Sequence, residues 1–264
     1  MSNQNEFVQE ALRIAEQAQQ KSIILRLMGA VAVKIHCPKY SYLQEELKRA
    51  LTDIDYVSLG KYMSALPRFF SELGYQLNKE EAEYTILLGR YIFYSNKNPR
   101  LHVDIFFDKL EMCHTIDFTK RLEIDAPTIS LADLMLEKLQ IVEINEKDIK
   151  DVIIVLLEHD IGDEDKETIN SKYIADSLSD DWGFYYTTTV NLKKVRAFLD
   201  QYKLSDDQRS EAKEKIDKLL DVIERRSKSF SWKMRARVGP KRKWYRDVGL
   251  VSHEAMQASS KDSP

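Results

Sequence analysis

Residues 51 to 60, LTDIDYVSLG, place Asp53 and Asp55 one residue apart inside a short apolar run. Such a run reads as a strand, in which alternate residues share a face, so the spacing predicts two carboxylates side by side. A third acid, Asp104, interrupts a second apolar run, HVDIFF, in the same way. Carboxylates on neighbouring strands repel one another and are driven toward protonation unless a cation sits among them. Taken singly, Asp53 and Asp55 read as a strand-end turn and Asp104 as an edge-strand charge. Taken together, and with a glycine turn upstream, they read as a site. Oxygen-only donors of this kind suit Mg²⁺ or Mn²⁺, which bridge carboxylates to substrate phosphates, the chemistry of phosphoryl or nucleotidyl transfer.

The surrounding pattern is that of an α+β protein. The stretch ILRLMGAVAVKIHCP reads as a strand over 23–28, a tight turn at Gly29 and a small-residue helix ending near Pro38. KYMSALPRFFSELGY reads as a helix closed by Gly74. YTILLGRYIFYS and RLHVDIFF are β-rich and separated by the turn signal NKNP, so they pair as a hairpin. Beyond Ser130 helices dominate: SLADLMLEKLQIV, then NEKDIKDVIIVLLEHD capped by Asn145, then helices near 170–178 and 188–202, and one opened by the capping box SDDQ at Ser205. The acidic stretch HDIGDEDKET (159–168) has nothing to pack a core and reads as a boundary. It divides the chain into a mixed-sheet domain flanked by helices over 1–160 and a mostly helical domain over 161–264. The tail SSKDSP reads as disordered.

Charge is distributed unevenly. Of the 40 lysines and arginines, ten fall between Arg225 and Arg246 with no acid among them, so the rest of the chain is far more acidic than the net −3 suggests. Within that segment Phe230, Trp232, Trp244 and Tyr245 alternate with cations. Phosphate neutralisation plus stacking is what RNA binding uses, with Arg235, Arg237, Lys241, Arg242, Lys243 and Trp244 as the contact residues. The same segment could instead fold back on the acidic remainder. With 8 glycines and neither GxGxxG nor GxxxxGK[ST], dinucleotide-binding and P-loop readings have no support. The polar N-terminus, the two separated cysteines Cys37 and Cys113, and the lack of any run near the roughly 20 apolar residues of a membrane span point to a cytoplasmic protein. A zinc site from His36-Cys37 and Cys113-His114 would need adjacent ligands, which rarely have suitable geometry.

One lysine stands out by position. On a helix over 131–142, Leu131, Leu134, Met135 and Val142 form an apolar face with Lys138 in its middle. Its ammonium either snorkels to an edge or reaches into a polar cavity to meet phosphate oxygens or a carboxylate.

Gly29 followed by a small residue, the Asp53-Ile54-Asp55 pair and Asp104 in an apolar strand resemble the nucleotidyltransferase superfamily typified by DNA polymerase β. Within it they resemble the bacterial abortive-infection and toxin-type nucleotidyltransferases, over residues 22–158. The resemblance implies a metal-dependent transfer of a nucleoside monophosphate from an NTP such as ATP to an acceptor hydroxyl. It assigns Asp53 and Asp55 to metal and Asp104 as third ligand or base, and it places the triphosphate on the backbone amides of Gly29 and Ala30. It also matches the toxin-type family's essential lysine to Lys138 and its Lys-Asp pair to Lys147-Asp148, although Asp148 is equally a capping acid of its own helix. Ala30 departs from the usual Gly or Ser, keeping the N–H and lacking a hydroxyl. RNA, including a tRNA end, is the favoured acceptor, with a small molecule or a protein side chain open. The alternative is a silent nucleotide- or RNA-binding module, as half of a pair with a cognate antitoxin.

Overall fold

The computed structural model describes residues 3–43, 51–78, 89–98 and 101–247. Part of the first β-rich run (84–88) and the C-terminal tail lie outside the described residues. The fold is α+β, built on a mixed five-stranded sheet. Helix α1 (Asn3–Gln20) leads to β1 (Leu25–Met28), then α2 (Gly29–His36), β2 (Ile54–Ser58), α3 (Leu66–Glu72), β3 (Tyr75–Leu77), β4 (Arg90–Ser95) and β5 (His102–Phe107). The strand order is β1-β2-β5-β4-β3, with β2 and β5 parallel and the other pairs antiparallel. The expected hairpin is therefore present as β4–β5. Tyr91, Phe93 and Phe107 pack edge-to-face across it, and Phe70 of α3 stacks on Phe93 at 4.3 Å.

A short ribbon, β6 (Lys109–Glu111) with β7 (Thr115–Asp117), follows the sheet. Residues 127–129 then run along β1: Leu27 N–H donates to Pro127 O and Ile129 N–H to Leu27 O, both at 2.9 Å. This strip fixes the start of α4 (Leu131–Leu139) beside α2, which matters for the site. Next come α5 (Glu146–Glu158), β8 (Asp160–Gly162) paired with β9 (Thr168–Asn170), and α6 (Ser171–Leu178), α7 (Trp182–Phe198), α8 (Asp206–Arg225) and α9 (Phe230–Val238). From α4 onward each helix opens on a side-chain cap: Ser130, Asn145, Asn170, Asp181, Ser205 and Ser229 each accept the third amide beyond them. Such caps contribute about 1 kcal/mol each. The capping box at Ser205 and Gln208 is complete.

Two sequence expectations change. Helix α7 starts at Trp182, earlier than 188, because Asp181 caps it by accepting Phe184 N–H; the β-favouring composition of WGFYYTTT hides that start. The stretch 159–168 is not a bare linker. Its acids face outward or pair, while Ile161 and Ile169 enter a core that runs from Phe7 to Ile223. Arg121 ties the same stretch to the sheet side by bonding Asp133, Ser130 and Asp165 while lying 3.6 Å from the Tyr173 ring. Among the described residues no helix is long and apolar enough to cross a membrane.

Candidate functional site

The parallel register of β2 and β5 sets Asp55 directly beside Asp104, on one face of the sheet. The antiparallel register of β1 and β2 sets Met28, the last residue before the turn, beside Asp55. Met28 is extended and Gly29 then takes φ +68°, which directs the chain over the Asp55 carboxylate. A Cβ at position 29 would lie 2.5 Å from Asp55 Oδ2, so only glycine lets the turn approach this closely. The strand–turn–helix reading of residues 23–38 thus describes a real junction, and the junction sits on the carboxylate pair.

Asp53 stands differently. The strand begins at Ile54, so Asp53 lies just ahead of it, half-buried, with Thr52 Oγ1 donating to its Oδ1 at 3.0 Å. Its charge still reaches the pair. The Asp55 carboxyl is pushed well above the usual carboxylate range, first by burial and then by repulsion from Asp53, Asp104 and Glu137, against the attraction of Lys138. Asp104 is buried, and Arg90 Nη2 lies 3.5 Å from its Oδ2. Among the described residues no group of three His, Cys, Asp or Glu side chains is close enough together to hold a metal ion. The pair Asp55 and Asp104 nonetheless has the chemistry a small hard dication uses, since Mg²⁺ is commonly held by one or two carboxylates with phosphates supplying the rest.

Lys138 resolves one alternative left open by the sequence. It does not snorkel. It is 6% exposed, and its Nζ lies 3.3 Å from each of Glu137 Oε1, Asp148 Oδ1 and Asp151 Oδ2. Asp148 serves two purposes, for Asn145 Oδ1 accepts its N–H at 3.0 Å and Asn145 Nδ2 donates to its Oδ2 at 2.8 Å. Lys138 and Asp148 are therefore brought together, on α4 and at the start of α5. Glu137, the neighbour of Lys138, accepts the Gly29 N–H through Oε2 at 3.0 Å and links this cluster to the turn. Burial pushes its carboxyl up as well, opposed by Lys138 and the Gly29 amide.

Three residues that the sequence reading passed over thus belong to the constellation: Arg90, Glu137 and Asp151. Asp151 is fully buried and interrupts the apolar run of α5, a signal equal to that of Lys138. Glu137 follows Lys138 by adjacency. Arg90 emerges only from the β4–β5 register, which pairs it with Phe106, two residues from Asp104.

The basic segment divides. Arg237, Lys241, Arg242 and Lys243 are exposed, whereas Arg235 and Trp244 are half-buried and engaged. Arg235 stacks 4.6 Å from the Trp182 ring and donates to Gly239 O and Arg242 O. Trp244 Nε1 donates to Thr187 Oγ1 at 3.0 Å, and its ring packs on Trp182 and Tyr186. The segment does fold back on the protein, and its end, Tyr245 and Arg246, lines a cavity of about 470 Å³ with Glu137, Asp148 and Ile141. The two Cys-His dipeptides go separate ways: His36 bonds around Thr128 and Ile129, His114 around Thr187.

No protein-family model matches the chain, and no curated protein matches it in sequence. Among solved structures it is similar to the solution structure of the antibiotic-resistance factor ANT(2'')-Ia, at 13% identity and a TM-score of 0.42, over 66% of this chain and 95% of that one.

Proposed function

We propose that the chain is a nucleotidyltransferase that moves a nucleoside monophosphate from an NTP to an acceptor hydroxyl. The observation that carries this reading is the register pair Asp55–Asp104 set directly beneath the glycine turn at Gly29. A divalent cation bound there, Mg²⁺ or Mn²⁺, would neutralise the carboxylates and the phosphate oxygens that meet them. Asp55 and Asp104 would hold it, with phosphate oxygens supplying the remaining donors and Asp53 at the strand entrance adding negative charge. Asp104 would accept the proton of the attacking hydroxyl, its orientation set by Arg90 on the neighbouring strand. The turn amides at Gly29 and Ala30 would take phosphate oxygens at the start of α2, where backbone N–H groups favour anions. Lys138 would supply the point charge that steadies the triphosphate, with Asp148 and Asp151 holding it in place.

The acceptor we propose is RNA, a tRNA end included. Its support is the exposed row Arg237, Lys241, Arg242 and Lys243; Trp244 contributes by packing. The test is incubation with each α-labelled NTP, Mg²⁺ and total RNA. Transfer of label by the native chain, abolished in Asp55→Asn and weakened by salt, is the expected outcome. Absence of transfer in every combination, together with nucleotide binding that is indifferent to Asp53→Asn, returns the chain to a silent module.

A further inference from the structure

The amide that the proposed reaction needs for phosphate is already in use. Gly29 is the first residue of α2, an eight-residue helix, and its N–H points into the site and donates to Glu137 Oε2 at 3.0 Å. Glu137 stands on α4, held beside α2 by the 127–129 strip, and its side chain is 10% exposed. Its second oxygen, Oε1, lies 3.3 Å from Lys138 Nζ. One carboxylate therefore bridges a helix-start amide and a lysine ammonium, the two kinds of donor that a phosphate group would take. Nothing about packing requires an acid here. A neutral glutamine would accept the same N–H, and a carboxylate adds repulsion toward Asp55.

We infer that Glu137 is an internal stand-in for phosphate, occupying the Gly29 and Lys138 donors until a nucleotide triphosphate displaces it. This rests on the nucleotidyltransferase reading and adds to it a residue that sets nucleotide affinity. Displacement has somewhere to go. Glu137 borders the cavity of about 470 Å³ whose wall holds Arg246 together with Glu143, Asp148 and Asp247, so a rotated carboxylate has room there and one cation to meet. Lys138 is handed over in the same movement, exchanging Glu137 for a phosphate oxygen while Asp148 and Asp151 keep hold of the same ammonium. A chain built this way keeps its carboxylate-rich site closed to monoanions, which cannot outcompete a tethered carboxylate. It opens for a polyanion.

The probe is inorganic triphosphate with Mg²⁺, common to all four nucleotides, followed by the NTP that supports transfer. Titration calorimetry on the full chain should show Glu137→Gln binding triphosphate about tenfold more tightly than the native protein, with Glu137→Ala at least as tight. Native and variant melting curves establish that each is folded. In amide NMR spectra the Gly29 resonance should move on triphosphate addition in the native chain, and Glu137→Gln alone should already shift it toward that position. Equal or weaker binding by both folded variants, with label transfer by the native chain, overturns the role of Glu137 and leaves the nucleotidyltransferase reading standing. No triphosphate or NTP binding by any of the three proteins overturns both.

Discussion

Asp55 is a carboxylate placed where three others push on it. Replacing it with asparagine keeps the shape, removes one like charge from the neighbourhood of Asp53, Asp104 and Glu137, and removes a proposed metal donor. The two consequences have opposite signs. Asp55→Asn should lose transfer activity by at least about 100-fold, in the range that loss of an essential acid–base or charge-stabilising group produces. Stability should rise by about 1 kcal/mol, the size of a relieved like-charge pair across a strand. Melting of the two proteins side by side reads the second effect. A variant that loses both activity and stability would mean that Asp55 is structural. His114 tests a different kind of burial. Its ring stacks on Phe184 at 5.0 Å, and its Nε2 meets Thr187 Oγ1 at 2.8 Å while the same hydroxyl oxygen accepts from Trp244. Thr187 then has its own proton to give to His114 Nε2, an arrangement that suits the neutral ring. Burial, with Arg246 adding to it and Asp181 opposing, holds the imidazole down to about 4 from its ordinary 6.5. Between those values the unfolded chain binds the proton that the folded chain refuses. The contribution of His114 is therefore whole above pH 6.5 and is lost as pH falls toward 4, up to about 3 kcal/mol by linkage. Denaturant unfolding at pH 7 and pH 4.5 should show a smaller acid loss in His114→Gln than in the native chain.

At the level of elements, two of the junctions where a glycine lets the backbone approach a neighbour too closely for a Cβ bear on the site and on the C-terminal segment. One is the β1–α2 turn over Asp55. The other is Gly183 at the start of α7, where a Cβ would lie 2.5 Å from the Trp244 carbonyl oxygen. The C-terminal segment is thus seated on α7 by shape as well as by the Trp244–Thr187 hydrogen bond and the aromatic contacts with Trp182 and Tyr186. Trp244→Ala removes the anchor, at a cost of about 3 kcal/mol for a large aromatic truncated from a packed site. The expected result is local: trypsin should cut after Lys241, Arg242 or Lys243 much faster in the variant, while residues 3–225 stay folded by circular dichroism. Unchanged cleavage would mean that Arg235 and Arg246 hold the segment without it.

Across the described residues, nearly all of the buried apolar side chains join one contiguous cluster. Ile14 and Leu27 on the sheet side connect through Leu134 and Ile153 to Ile174, Leu192 and Ile216. Helix α8 packs on α5, α6 and α7, and the Arg121 network crosses the stretch where a boundary was expected. A core of this kind unfolds together. Differential scanning calorimetry should give one transition with matching calorimetric and van't Hoff enthalpies; two separable transitions would restore a division near residue 160.

Much of this was legible in the chain itself. Short-range chemistry is written locally: the caps at Asn145 and Ser205, the turn at Gly29, the β4–β5 hairpin and the lysine in an apolar helix face each follow from residues within a few positions of one another. Alternation placed Asp55 and Asp104 in apolar strands expected to be neighbours, without giving their alignment. That was decided by the parallel β2–β5 register, because a pairing across 49 positions depends on how the intervening chain crosses over. The start of α7 escaped notice because strand-forming residues there are held helical by a cap and by tertiary packing, which override propensity. The stretch 159–168 read as too acidic to pack, yet Ile161 within it and Ile169 just after it dock into the core. Arg90 had no local signature at all, and Glu137 only its adjacency to Lys138. What the sequence determined is the supply of charges and the elements that carry them; which charges face one another was settled only when the 127–129 strip laid α4 against α2 and brought Glu137 to the Gly29 amide. Electrostatic pairing acts over a few ångströms of space, and distance along the chain does not measure it.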